Sequence, residues 1–281
     1  MRHAPEQPSD RPRCARVPRR HPRGAPSLED ATKLPKRIGN QCTALVYPNC
    51  GEAVVIANRR VSAAVDRSRK VEGAKNPERT KGEAVRRART MVRRYCTEHR
   101  LTYMWTLTYA GDGEHDLAKV RRHVERLIAA VAAEQGGRFP YLWVPELHKS
   151  GHGIHVHMAV PFYFDQKKLT KLWGRGHVWC SSMGRRGTCG HARAKAAAGY
   201  VSKYVGKAFE VAEFGRHRYE RAQGFPVTSY RVDFHTLDDG QDYVVAVFAC
   251  APSYVWDSST VEEWAGPPCR VLFFMGRAPD D

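Results

Sequence analysis

The sequence predicts an α+β fold, and two patterns carry that prediction. Stretches rich in β-branched and aromatic residues alternate with period two, at Leu101–Tyr109, Phe139–Leu147 and Ile154–Phe164. Between and beyond them, apolar residues recur at helical spacing over 83–99, after Asp116 and through Gly199–Lys207.

In chain order, residues 1–40 are rich in Arg and Pro without an apolar period, and read as a disordered basic arm. Residues 41–82 form an N-terminal extension, with short strands at Cys42–Tyr47 and Ala53–Ile56 and a linker over 74–82. The main domain is expected over 83–250 and a C-terminal segment over 251–281. The helix over 83–99 turns Val85, Ala88, Met91, Val92, Tyr95 and Cys96 inward. Its other faces carry Arg86, Arg87, Arg89, Arg93 and Arg94, for phosphates or for solvent. In the first main strand Trp105, Leu107 and Tyr109 share one face, and Met104, Thr106 and Thr108 the other. Gly111-Asp112-Gly113 ends it, and Asp116 caps a helix running to about Ala133. Phe139–Leu147, a turn at Lys149-Ser150-Gly151-His152-Gly153 and Ile154–Phe164 make a hairpin. A short helix starts at Leu169–Trp173, and residues 174–192 read as a loop. After the next helix, Thr228–Phe234 and Tyr243–Cys250 read as strands, and Arg270–Met275 as an apolar terminal segment.

The chain has 281 residues and a formal charge of +17, from 46 Lys+Arg against 29 Asp+Glu. That excess favours polyanionic partners, nucleic acid before anionic membrane. No apolar run of about 18 residues exists, so no membrane-spanning helix is expected. Met1-Arg2-His3-Ala4-Pro5 carries no apolar signal core, which points to the cytoplasm, where the 8 cysteines are expected as thiols or metal ligands.

Two stretches concentrate the chemistry. In Gly199–Lys207, Tyr200 and Tyr204 stand one helical turn apart, and Lys203 and Lys207 follow them three residues later. All four project from one side of a helix, while Val201, Val205, Ala208, Phe209 and Ala212 form an adjacent packing stripe. In Gly153–Val160, His155 and His157 share one face of a strand, opposite Ile154, Val156, Met158 and Val160. Glu146 is brought near His155 by the hairpin, so two imidazoles and a carboxylate make a usable divalent site for Mg²⁺ or Mn²⁺. His148 and His152, in or beside the turn, compete as ligands. A free phenol has a pKa of about 10, so attack on phosphorus calls for a cation on the phosphate and for Lys203 and Lys207 to favour phenolate. Taken singly, the histidine pair also reads as structural and the tyrosine pair as packing.

Together these residues resemble a known family. His155-Val156-His157, with Glu146 and Gly153 before it, looks like the metal motif of HUH endonucleases. Trp105-Thr106-Leu107-Thr108 is similar to the first motif of rolling-circle replication initiators. Tyr200-xxx-Tyr204-xx-Lys207 resembles the two-tyrosine motif of initiators of small circular single-stranded phages and related plasmids. The three occur in the family's order over roughly 101–210. The resemblance implies an HUH endonuclease-like (ferredoxin-like or RRM-like) antiparallel sheet with the His-x-His strand central and helices on one side. It also implies site-specific nicking and rejoining of a single-stranded or hairpin origin. A tyrosine becomes linked to the 5′ phosphate, a 3′-hydroxyl is left as primer, and the second tyrosine serves the closing cut.

No Gly-x-x-x-x-Gly-Lys-Ser/Thr is present, so a separate helicase, along with a DNA polymerase, is expected. Gly206 costs about 1 kcal/mol in a helix interior, and reads as room for DNA or as a kink. His177, Cys180, Cys189 and His191 are candidates for a structural Zn²⁺. Trp173 and Trp179 are candidates for stacking on unpaired bases, or for core. Two rival readings are a transposase or relaxase of the same chemistry, and a non-enzymatic nucleic-acid-binding protein with structural zinc.

Overall fold

The computed structural model describes residues 41–58, 77–148, 150–184, 190–208, 218–262, 264 and 266–274. The expected basic arm over 1–40 therefore lies outside the described residues, as do Cys189, Phe209, Ala212 and Met275. Two strands open the described chain, β1 (Cys42–Tyr47) and β2 (Glu52–Ala57), joined by a 3-10 turn that ends at Gly51 with φ 59°. Then come α1 (Pro77–Glu98), β3 (Tyr103–Leu107), α2 (Leu117–Gln135), β4 (Leu142–Leu147) and β5 (Ile154–Val160). They are followed by α3 (Gln166–Trp173), β6 (Val178–Ser182), α4 (Gly190–Ala208), β7 (Glu220–Arg221) and β8 (Tyr230–Phe234). The chain ends with α5 (Leu237–Phe248), β9 (Tyr254–Asp257) and β10 (Cys269–Phe273).

The fold is α+β, with two antiparallel five-stranded sheets, compatible with an HUH endonuclease-like architecture. The first sheet has the order β6-β3-β5-β4-β7, so the histidine strand β5 is its centre. Period-two alternation decides how it is covered. Trp105, Leu107, Val156 and Met158 project to one face and are fully buried. On that face Tyr109 meets His123 of α2 at 3.0 Å and the Trp173 ring of α3 at 5.1 Å. Thr106, His155 and His157 project to the other face, where α4 packs and α1 packs on α4. Helices thus cover both faces, not one. Each fully buried Val, Leu, Met or Trp here contributes on the order of 1.5–3 kcal/mol.

Helix α2 starts where the sequence predicts: Asp116 accepts hydrogen bonds from Ala118 N and Lys119 N, and Gly136 closes the helix at φ 75°. Three local readings change. The expected linker over 74–82 holds the start of α1 at Pro77, because proline suits a first helical turn, where its missing N–H costs nothing. The loop over 174–192 contains β6, a five-residue edge strand specified by its pairing with β3 more than by its own composition. Tyr243–Cys250 is not a strand. Thr236 and Asp239 form a complete capping box, and that box turns the following apolar run into α5.

The second sheet, β8-β1-β2-β10-β9, joins the N-terminal hairpin to strands from the C-terminal part of the chain. Helix α5 lies across it on a core of Ala44, Val46, Val55, Val232, Phe234 and Leu272. Glu52, at the end of β2, is 2% exposed and takes the guanidinium groups of Arg93 and Arg94 at 2.8 and 2.5 Å. The Arg94 guanidinium also sits 3.7 Å above the Tyr47 ring. These contacts hold the second sheet to α1, which packs on α4. The six described cysteines are all free thiols.

Candidate active site

The β4–β5 register places Glu146 directly opposite His155, and the β3–β5 register places Thr106 opposite His157. Directly paired residues share a face, so Glu146, His155, His157 and Thr106 line one patch of the sheet. His157 is the fixed point of that patch, 5% exposed. Its Nε2 lies 2.7 Å from Glu146 Oε2, and its Nδ1 lies 3.2 Å from Thr106 Oγ1. The Thr106 hydroxyl can donate or accept, so it supports either tautomer of His157. Lys207 reaches down from α4 to Glu146 Oε1 at 2.5 Å.

Helix α4 brings the tyrosines over this patch. Val201, Val205 and Ala208 are buried on one stripe, which turns Tyr200, Tyr204, Lys203 and Lys207 toward the histidines and solvent. The small buried residues Ala194, Ala197 and Ala198 let the neighbouring elements approach closely. The Tyr204 ring stacks on the His157 ring, with centroids 3.7 Å apart and planes 20° apart. Tyr204 Oη donates a hydrogen bond to Tyr200 Oη at 2.8 Å. The ammonium of Lys207 is 5.1 Å from the Tyr204 ring centre, and that of Lys203 is 5.9 Å from that of Tyr200.

The electrostatics follow from this packing. Burial pulls the carboxyl of Glu146 upward, but hydrogen bonds from Lys207 and His157 outweigh it and leave the group below its ordinary value. Glu146 is therefore ionised at neutral pH. Burial lowers His157, against the pull of Glu146. Burial lowers His155 too, and the nearby rings of His148 and His157 add to that. Both imidazoles are held neutral, the form in which a histidine can bind a cation. At Tyr204 the expectation that lysine favours phenolate does not hold. Burial raises its pKa, as do the hydrogen bond to Tyr200 and the charge of Glu146. Lys207 is already engaged by Glu146, so its charge is largely spent there.

Among the described residues no three His, Cys, Asp or Glu side chains are grouped as a ready metal cage. The Glu146 carboxylate is turned to His157 and Lys207, and His155 lies against His148, with ring centroids 4.5 Å apart. The donor set nevertheless suits a divalent ion. His155 Nε2 is shielded from solvent without a hydrogen-bond partner. It stands beside a neutral imidazole and an ionised carboxylate, a mixed nitrogen and oxygen set. Of the competing ligands, His148 is bound to Ser150 Oγ at 2.6 Å, and His152 contacts the Tyr109 carbonyl at 2.9 Å. Thr106 is the residue whose part in the site the sequence left unassigned. The only signal for it was its place on the histidine side of β3.

The proposed zinc residues fare differently. Cys189 lies outside the described residues, and His177, Cys180 and His191 form no group. His191 is pushed down to about 4 by burial, with Lys195 and Arg100 adding to the shift, and two cations are poor company for a dication. Trp173 is fully buried and donates to the Thr108 carbonyl at 2.8 Å, so it is core and not a stacking surface. Trp179 is 60% exposed and pairs in register with Thr106, on the histidine face. Gly206 is buried, and the group above it is Arg89, not open space for DNA.

Residues 102–209 match the family model of replication-associated proteins of the ORF2 type. The match supports a replication initiator. It covers less than half of the chain but contains every residue of the site, from Thr106 to Lys207. No curated protein and no solved structure matches the chain. Among the described residues no helix is long and apolar enough to cross a membrane.

Proposed function

We propose that this chain starts rolling-circle replication by nicking and rejoining single-stranded origin DNA through a phosphotyrosine, in the manner of two-tyrosine HUH initiators. The observation that carries the reading is the convergence of two separate motifs. Tyr204, on α4, stacks on His157, on β5, and passes its proton toward Tyr200. These residues are about 45 positions apart in sequence, and packing alone gives neither helix nor strand a reason to bring its polar face to the other.

In the proposed reaction the phenolic oxygen of one tyrosine bonds to phosphorus, and the bond from phosphorus to the 3′ oxygen breaks. The phenol's proton ends on the released 3′-hydroxyl. One phosphodiester replaces another, so no external energy source is required, and the reverse attack rejoins the strand. Tyr204 starts as a neutral phenol, so its proton must leave as it attacks. Tyr200 Oη is the acceptor in place for that proton. Two phenols joined by a hydrogen bond suit successive attacks at one site. Lys203 and Lys207 neutralise phosphate oxygens at the same position. His155, His157 and Glu146 would hold a Mg²⁺ or Mn²⁺ ion, which when bound would polarise the scissile phosphate. Separate helicase and polymerase activities complete the replication step.

The test is a denaturing gel of the protein with labelled single-stranded origin DNA and Mn²⁺. A covalent adduct that survives each single Tyr→Phe change and disappears in the double variant is expected. Adduct persisting in the double variant, or absent from wild type on every origin-bearing strand, would overturn the proposal in favour of a binding protein.

A further inference from the structure

Gly206 and Arg89 meet where helices α1 and α4 pack. A Cβ added at Gly206 would stand 2.4 Å from Arg89 Nη2, 3.4 Å from Cζ and 3.6 Å from Nε. The guanidinium therefore lies across bare backbone, in a place no other residue type leaves open. Glycine is a poor helix former, so its use near the end of α4 calls for a local reason, and the crossing guanidinium is that reason.

Position on the helix says what the guanidinium is near. At 100° per residue, Gly206 lies about 60° around α4 from Lys203 and about 100° from Lys207. Going around the helix from Gly206, one meets Lys203, then Lys207, Tyr200 and Tyr204. Arg89 thus extends the cationic stripe that ends at the two phenols. It is exposed, and makes no ion pair or hydrogen bond among the described residues. Arg93 and Arg94, one turn further along α1, are both held by Glu52. Arg89 is the α1 arginine that is both fixed in place by packing and electrostatically unspent.

We infer that Arg89 binds a backbone phosphate of the single-stranded DNA entering the tyrosine site, and that Gly206 is kept small so the guanidinium can lie there. The inference rests on the proposed nicking reading for the identity of the ligand. A planar guanidinium takes two phosphate oxygens at once, where Lys203 offers a point charge. Arg89 and Lys203 then contact the strand away from the scissile position and hold its register over Tyr200.

The experiment measures binding apart from chemistry. A labelled single-stranded oligonucleotide is titrated by fluorescence anisotropy across a salt series, using the full chain with Tyr200→Phe and Tyr204→Phe. Arg89→Met is expected to weaken binding about tenfold and to reduce the slope of log K against log salt by about 0.7, the share of one phosphate contact on a single strand. Gly206→Ala, which displaces the guanidinium, is expected to reproduce both effects and to add nothing when combined with Arg89→Met. Unchanged affinity and slope in Arg89→Met would overturn the inference, as would additive losses in the double variant. Should Gly206→Ala melt at a markedly lower temperature, Arg89→Met and the partial rescue expected from Arg89→Lys decide the matter. The two readings separate cleanly. An adduct in wild type with no Arg89 effect removes only this inference. An Arg89 effect without any adduct removes only the nicking chemistry.

Discussion

The ring of Tyr204 stacks on the imidazole of His157, 3.7 Å between centroids and 20° from parallel. A residue of the second motif and a residue of the third thus share one packed contact. The stack is structural as well as chemical, so substitutions at Tyr204 should separate the two roles. Tyr204→Phe keeps the ring and loses only the hydrogen bond to Tyr200, so stability should change by about 1 kcal/mol or less. Tyr204→Ala removes the stacked ring and should cost about 2–4 kcal/mol. Urea denaturation of the two variants checks this. Equal losses would mean the stack holds nothing together.

Thr106 should tune metal affinity without touching the ion. Its hydroxyl meets His157 Nδ1 at 3.2 Å and so orients the ring. Thr106→Val, nearly isosteric, is expected to weaken Mn²⁺ binding about tenfold by calorimetry, and His155→Ala at least as much. Thr106→Val with wild-type affinity would reduce Thr106 to a packing residue.

The two tryptophans should diverge. Trp179→Ala is expected to lower single-stranded DNA affinity by about 1–3 kcal/mol while leaving the melting temperature in place. Trp173→Ala is expected to cost about 3–5 kcal/mol of stability, because its ring is fully buried. Anisotropy titrations and thermal melts on both variants would show the exchange. A stability loss at Trp179 of the size seen at Trp173 contradicts the assignment.

His191 should make the fold sensitive to mild acid. Its folded value is about 4, against about 6.5 for a free imidazole, so the unfolded chain takes up the proton first. Its stabilising share is whole above pH 6.5, shrinks as the pH falls toward 4, and levels off below that. Because the ring is only partly shielded, the loss between pH 7.5 and pH 5 should be about 1–2 kcal/mol. Urea unfolding at the two pH values, with His191→Gln as control, measures it. The same pH dependence in both proteins would place the effect elsewhere.

Much of this site is legible from spacing. His155 and His157 at i and i+2 had to share a strand face, and Tyr200, Lys203, Tyr204 and Lys207 had to share a helix side, because those periods follow from backbone geometry alone. The Asp116 cap and the burial of Ile154, Val156, Met158 and Val160 follow from the same kind of local rule. The boundaries of α1 and the helical state of 243–248 were less visible, since a short apolar run suits either state until a cap or a partner selects one.

What local pattern leaves open is everything that depends on two distant segments meeting. It cannot say that Glu146 turns to His157 and Lys207, that Thr106 orients the ring, or that burial and a nearby carboxylate hold Tyr204 protonated despite its lysine neighbours. Nor does it tell Trp173 from Trp179, or reveal that Gly206 makes room for an arginine of another helix. Periodicity assigns a side chain to a face, because that is set within a few bonds. Its protonation, its partner and its exposure depend on which other surface lies against that face, and only the packed chain decides that.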